Sequence, residues 1–99
     1  MTKEETHHET MGKIKLLAAG AVDRELRALS LFSTGFIHDA GQWAADAAER
    51  WAQAAFEISR LKNPAANGTA YCYRQRAEAC RTMVYLYADQ STAAAPAAK

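Results

Sequence analysis

The sequence lacks a long apolar run. Nowhere in its 99 residues is there a stretch of the ~20 apolar residues that a membrane-spanning helix needs. Its first residues, MTKEETHHETMGK, carry acidic side chains where a secretion signal would have a basic region followed by an apolar one. These two absences predict a cytoplasmic protein that has no membrane as a partner.

An excess of charge of one sign is also absent. Twelve basic and eleven acidic residues leave a net charge of +1, and the two signs are interleaved along the chain. A protein that binds duplex DNA or an anionic membrane tightly usually has a strongly basic face. The balance of charge therefore argues against both partners.

Cysteine is scarce, with only Cys72 and Cys80 in the chain. Eight positions along one helix separate their Cα atoms by ~12 Å, whereas a disulfide needs less than about 7 Å. Both should be free thiols, which fits a reducing compartment. Without secretion, Asn67-Gly68-Thr69 predicts a turn rather than a glycosylation site.

Motifs that would identify an enzyme or a cofactor site are missing. The chain has no glycine-rich phosphate loop and no nucleotide fingerprint, and the spacing of its two cysteines does not suit a metal. His7 and His8 are adjacent, so they do not converge on one face of a helix. An enzymatic activity would have to use Cys72, or His38 with the adjacent Asp39, as its catalytic residue. No motif supplies a catalytic partner for either. We expect no enzymatic activity, no metal and no cofactor.

What the sequence does contain is helical periodicity, strongest between Asp39 and Lys62. Apolar residues recur there in steps of four and three, which is the pattern of a packed helical seam; they are Ala40, Ala44, Ala47, Trp51, Ala54, Ile58 and Leu61. Asp39 and Gln42 have the spacing of a capping box, and Asn63-Pro64 can end a helix. A central helix over about 40–62 is predicted.

Weaker periodicity predicts a helix on each side. The first, about 11–37, has an apolar line through Met11, Ile14, Ala18, Val22, Leu26 and Leu29. This helix is either continuous or broken near Gly20, and the unchanged phase of the apolar line favours continuity. The third helix, about 70–89, is capped by Thr69 and has its seam at Tyr73, Ala77, Cys80, Val84 and Tyr87.

The predicted fold is therefore all-α, a small irregular bundle of three main helices. Residues 11–89 form a single helical domain. Residues 1–10 are expected to be a mobile N-terminus, since they lack an apolar anchor. Residues 90–99 are expected to be a disordered Ala-rich tail.

The central helix has more apolar surface than two neighbours can cover. A second row adjoins the seam and widens the apolar surface to roughly 200°, against ~100° for a typical surface helix; it consists of Ala45, Ala48, Ala52, Ala55 and Phe56. We expect this row to contact a second copy or another protein. Ala48→Glu or Ala52→Glu should then separate an oligomer without loss of helix.

These features favour a non-enzymatic protein–protein interaction module that self-associates. It would act as an adaptor, or as a small inhibitor that occludes a larger machine. Accessory proteins of phages or plasmids are often short helical chains of this kind, which is an association and not a derivation from the residues. The identity of the protein partner is not encoded in any motif of the sequence.

The alternative function is binding of a nucleic acid or a nucleotide. Tyrosines that alternate with arginines can stack on bases and contact phosphates, and such a patch lies at the start of the third helix: Tyr71, Arg74, Arg76 and Arg81. The competing interpretation is that Glu78 pairs with Arg74 and Arg81 on the helix surface.

Overall fold

The computed structural model describes residues 3–61 and 63–97, with side chains described for 7–61 and 63–90. It contains three helices, α1 (Lys3–Ser33), α2 (Ile37–Ser59) and α3 (Pro64–Ala97), and no strand in the described ranges. The predicted all-α bundle of three helices is confirmed. The molecule is elongated, with principal dimensions of 63 × 18 × 16 Å.

Helix α2 is the central element, because α1 and α3 each pack along it. The core forms three clusters of buried residues along its length: Ala21, Ala47, Ala48, Trp51, Ala77 and Cys80 in the middle, Ala28, Ala40, Ala44 and Tyr87 towards the start of α2, and Ile14, Ile58 and Ala70 towards its end. Alanine dominates these clusters, so the helices approach closely and little space is left between them.

The turn between α1 and α2 is set by Gly35, whose φ is +89°. The N–H of Phe36 donates to the carbonyl of Leu31 at 2.8 Å, and that of Gly35 to the carbonyl of Phe32 at 3.2 Å. This pair of bonds is a Schellman motif, which needs a residue in the left-handed conformation. Helix α1 thus runs unbroken through Gly20 and ends at Ser33, four residues earlier than predicted.

The predicted capping residues of α2 and α3 are wrong. Helix α2 begins at Ile37, directly after the Gly35 turn, and no side chain caps it. Asp39 lies in its first turn, where the helix dipole favours a carboxylate. Helix α3 begins at Pro64 instead of following Thr69. The Oδ1 atom of Asn63 accepts a hydrogen bond from the N–H of Ala65 at 3.0 Å. Asn63-Pro64 therefore starts α3 as an N-cap and first-turn proline.

Both end segments are more helical than expected. Helix α1 starts at Lys3, and α3 continues to Ala97 through the segment expected to be a disordered tail. Alanine has the highest helix propensity of all residues, so an alanine-rich end can extend the helix it adjoins. The expectation of mobility for these segments stays a prediction. Residues 1, 2, 98 and 99, and Lys62, the predicted end of the central helix, lie outside the described residues.

The predicted apolar line of α1 faces the core only in its first half, where Ile14 is buried and Ala18 packs against the core. Ile14, Ala21 and Ala28, each seven residues apart, are buried. Val22, Leu26 and Leu29 belong to the predicted apolar line, yet they are 40%, 61% and 50% exposed. Small residues allow α1 to lie close to the alanine seam of α2, which a line of leucines would prevent.

Ion pairs connect α1 to α2 along the edge of their contact. Lys13 Nζ lies 3.0 Å from Oε1 of Glu57, and Arg24 pairs with Asp46, which also accepts from Arg50. Asp46, Arg50 and Glu57 belong to the polar strip of α2. Helix α1 therefore packs over the boundary between the polar strip and the apolar seam of α2. Its basic residues Lys13 and Arg24 lie next to the polar strip.

Candidate functional site

Helix α3 divides the apolar row of α2 that was expected to contact a second copy. Ala48 and Ala55 are buried, Ala52 is half-buried, and Ala45 and Phe56 are exposed. Ala48 and Ala55 lie deep in the row, 3% and 2% exposed, because the seam of α3 packs against that side; their part in an intermolecular contact stays a prediction. For the same reason Ala48→Glu would test folding rather than oligomerisation.

The exposed part of the row opens on a long groove between α2 and α3, which we call the outer groove. The widest part has a volume of about 510 Å³. It lies between Phe56 of α2 and Tyr71, Arg74 and Arg81 of α3. Two smaller depressions of about 230 and 410 Å³ continue it: the first shares Arg81 with the widest part, and the second shares Ala45 and Val84 with the first. The outer groove therefore follows α2 over most of its length.

Small and large side chains alternate around the outer groove. Its α2 side contains the small residues Gly41, Ala45 and Ala52, with the carboxylate of Glu49 among them. Three aromatic side chains project beside them, with Phe56, Tyr71 and Tyr85 exposed by 63%, 58% and 73%. A surface with a shallow floor and aromatic ridges can hold an elongated apolar object such as another helix.

The structure separates the four residues of the predicted nucleic-acid patch. Tyr71, Arg74 and Arg81 line the outer groove together. Arg76 lies on another face of α3, with its guanidinium carbon 4.6 Å from the centre of the Trp51 ring and Nη2 3.7 Å from Glu25 Oε2. Because α3 places residues 74 and 76 about 200° apart, the two arginines cannot serve one ligand.

Charge in the outer groove is nearly balanced. Glu78 pairs with Arg81 but not with Arg74, so the predicted double pairing is half right. Arg74 is exposed, and it has no ionic partner among the described residues. The groove thus offers one cation, Arg74, and one anion, Glu49, that have no ionic partner among the described residues, beside three aromatic rings.

A partly buried polar cluster between α1 and α3 was not anticipated from the sequence. The thiol of Cys80 donates to Oε1 of Glu25 at 3.2 Å, and Arg76 approaches the other oxygen of the same carboxylate. Burial, and then the nearby carboxylate, raise the pKa of Cys80 to about 12. The thiol is therefore protonated at neutral pH. No local signal connects residues 55 positions apart, so only the packing of the helices could reveal this cluster.

The remaining candidates for chemistry stay apart from one another. Cys72 is exposed and unpaired, and Nε2 of His38 lies 3.3 Å from Nε2 of Gln42, one turn along α2. Within the described ranges, no group of three or more His, Cys, Asp and Glu side chains could hold a metal ion. None of the helices, as far as they are described, is long and apolar enough to span a membrane.

The two thiols should differ strongly in reactivity. Cys72 is exposed, whereas Cys80 is buried with its pKa raised to about 12, so a maleimide should label one site rapidly and the other only on the timescale of unfolding. Denatured protein should give two thiols per chain. Cys72→Ser should remove the rapid phase and Cys80→Ser the slow one. Equal rates for the two cysteines, or a missing thiol after denaturation, would contradict this assignment.

Comparisons of the chain with protein-family models, with curated proteins and with solved structures gave no match.

Proposed function

We propose that this chain is a non-enzymatic protein–protein interaction module, and that its outer groove binds an amphipathic helix of another protein. The observation that carries the proposal is the alignment of Phe56, Tyr71 and Tyr85, all more than half exposed, along one groove. Large apolar side chains grouped on a surface mark interaction sites, and aromatic residues are frequent anchors of binding energy.

The shape of the outer groove supports a helix as its occupant. Its lining on α2 extends from Ile37 to Ser59, which corresponds to ~33 Å along the helix axis. Gly41, Ala45 and Ala52 allow the backbone of a partner to approach. A partner helix of roughly 20 residues, apolar at positions i, i+3 or i+4 and i+7, would match this length.

The charged residues of the outer groove restrict which partner helix can bind there. Arg74 is the one cation of the groove lining without an ionic partner among the described residues, because Arg81 is neutralised by Glu78. A carboxylate on the partner helix opposite Arg74 would compensate it. The proposed occupant is therefore an amphipathic helix with a carboxylate opposite Arg74 and a basic side chain opposite Glu49, and binding it would make this chain an adaptor or an occluding inhibitor. Two unpaired thiols are consistent with action in the cytoplasm.

Selection from a display library of amphipathic helices tests the proposal directly. The peptides would have fixed leucines on one face and randomised polar residues on the other, with the full chain as bait. We expect the selected peptides to place an acidic residue opposite Arg74 and a basic residue opposite Glu49. Their affinity should fall at least about tenfold for Phe56→Glu and for Arg74→Glu, since each change removes an anchor of the groove.

Leu16→Glu is the matched control, because Leu16 is also a large exposed side chain but lies on α1, away from the groove. It should leave peptide affinity unchanged. A selection without binders, or binders that ignore Phe56→Glu, would overturn the proposal. A single-stranded nucleic-acid probe at low salt forms the second arm. A mobility shift that Tyr71→Ala and Arg74→Ala abolish would favour nucleic-acid binding, whereas no shift would dismiss it.

A further inference from the structure

Helix α1 has two apolar seams, and the monomer buries only one of them. The buried seam contains Ile14, Ala21 and Ala28. The other consists of Ala19, Val22, Leu26 and Leu29, which are exposed and follow one another in steps of three, four and three. We call these four residues the α1 stripe. This spacing is that of a helix that packs against a second helix along its length.

We infer that the α1 stripe is the contact surface of an antiparallel homodimer. A two-fold axis level with residue 24 places Ala19 opposite Leu29 of the second copy, and Val22 opposite its Leu26. Each smaller side chain then faces a larger one, so the two stripes fill the space between them evenly. A parallel arrangement would place every residue opposite itself, which leaves a gap between the two alanines.

Charge also favours the antiparallel arrangement. Lys15 continues the α1 stripe by one step of four and is exposed, without an ionic partner among the described residues. A parallel dimer would bring the two Lys15 side chains together. In the antiparallel dimer Lys15 lies opposite Ser33, in the last turn of α1 of the second copy, which contains no basic residue of its own. The negative end of the helix dipole is favourable for a cation there.

The size of the stripe determines how strong the dimer is. From position 15 to position 33 it is ~27 Å long, and a helix pair of that length buries on the order of 400 Å² per chain, against ~800 Å² in a stable interface. An interface of this size should give a weak dimer that dissociates on dilution. It uses a different face from the outer groove and does not depend on what the groove binds.

Sedimentation velocity of the full chain between about 5 and about 200 µM tests the inference. We expect the mean mass to rise from monomer towards dimer. Leu26→Glu should weaken association at least about tenfold, because it puts a charge in the centre of the contact. Leu16→Glu, the same change on an exposed leucine outside the stripe, should leave association as in the unmodified chain. A monomer at every concentration, or equal behaviour of the two variants, would overturn the inference.

Crosslinking tests the orientation independently of any effect on stability. In a Cys72→Ser background, Ala19→Cys and Leu29→Cys chains should form a disulfide with each other much faster than either forms with itself. A parallel dimer would reverse this result, since each position would meet its own copy. Crosslinking of each variant with itself alone would therefore contradict the antiparallel arrangement.

Discussion

Trp51→Ala is expected to lower the free energy of unfolding by about 3–5 kcal/mol, the usual cost of removing a large aromatic side chain from a core. Trp51 is only 2% exposed and lies in the cluster that joins all three helices. Its ring is 5.0 Å from that of Tyr73, and the guanidinium of Arg76 lies over it. A domain of this size has a total stability of roughly 5–15 kcal/mol, so the variant should be close to unfolding.

Two further variants make the measurement specific. Phe56→Ala removes an aromatic ring from the same helix, but Phe56 is exposed, so its melting temperature should change little. Trp51→Phe keeps most of the apolar contact. It also removes the buried indole N–H, which has no hydrogen-bond partner among the described residues, so it should cost much less than alanine. If the melting temperature of Trp51→Ala stayed within a degree or two, the central cluster would be wrongly placed.

Ala47→Glu should be as damaging, for an electrostatic reason. Ala47 is completely buried in the cluster that contains Trp51 and Ala21. A glutamate there must either keep an unpaired charge in the interior or bind a proton, and an uncompensated buried charge costs roughly 3–5 kcal/mol. The variant should show a loss of helical circular dichroism at room temperature, or a much lower denaturation midpoint.

Ala45→Glu is the matched control, since it introduces the same side chain two residues earlier on the exposed side of α2. It should keep the helical signal and the denaturation midpoint of the unmodified chain. Equal damage by the two substitutions would mean that the rotation of α2 is wrong. Equal tolerance would mean that Ala47 does not lie in a closed core.

The sequence by itself determined the all-α class, the number of helices and the inward face of α2. Six residues of the predicted seam are buried: Ala40, Ala44, Ala47, Trp51, Ala54 and Ile58. This succeeds because α2 is packed on both sides, so the period of the helix appears directly as a period of apolar residues. Its end at Ser59 and the start of α3 at Pro64 were harder to predict, because the sequence offers Asn63 and Thr69 as competing caps.

Only the tertiary structure decided which side of α1 is buried. Two lines of apolar residues with helical spacing run along α1, through Ala21 and Ala28 and through Val22 and Leu26. Both lines have the helical period, and hydropathy favours the line of Val22 and Leu26, which is the exposed one. The choice depends on α2, whose alanine seam and polar strip accept a close neighbour with basic residues.

The candidate site has the same division between local and long-range information. The sequence identified Phe56, Tyr71 and Arg74 as surface residues of interest, because helical spacing and residue type are local properties. It could not show that α3 buries Ala48 and Ala55, that Arg76 faces Glu25 rather than Arg74, or that Cys80 meets Glu25. Those facts follow from how α3 is rotated and placed against α1 and α2. Rotation is set by the packing of side chains distant in sequence, whereas periodicity specifies only which residues share a face.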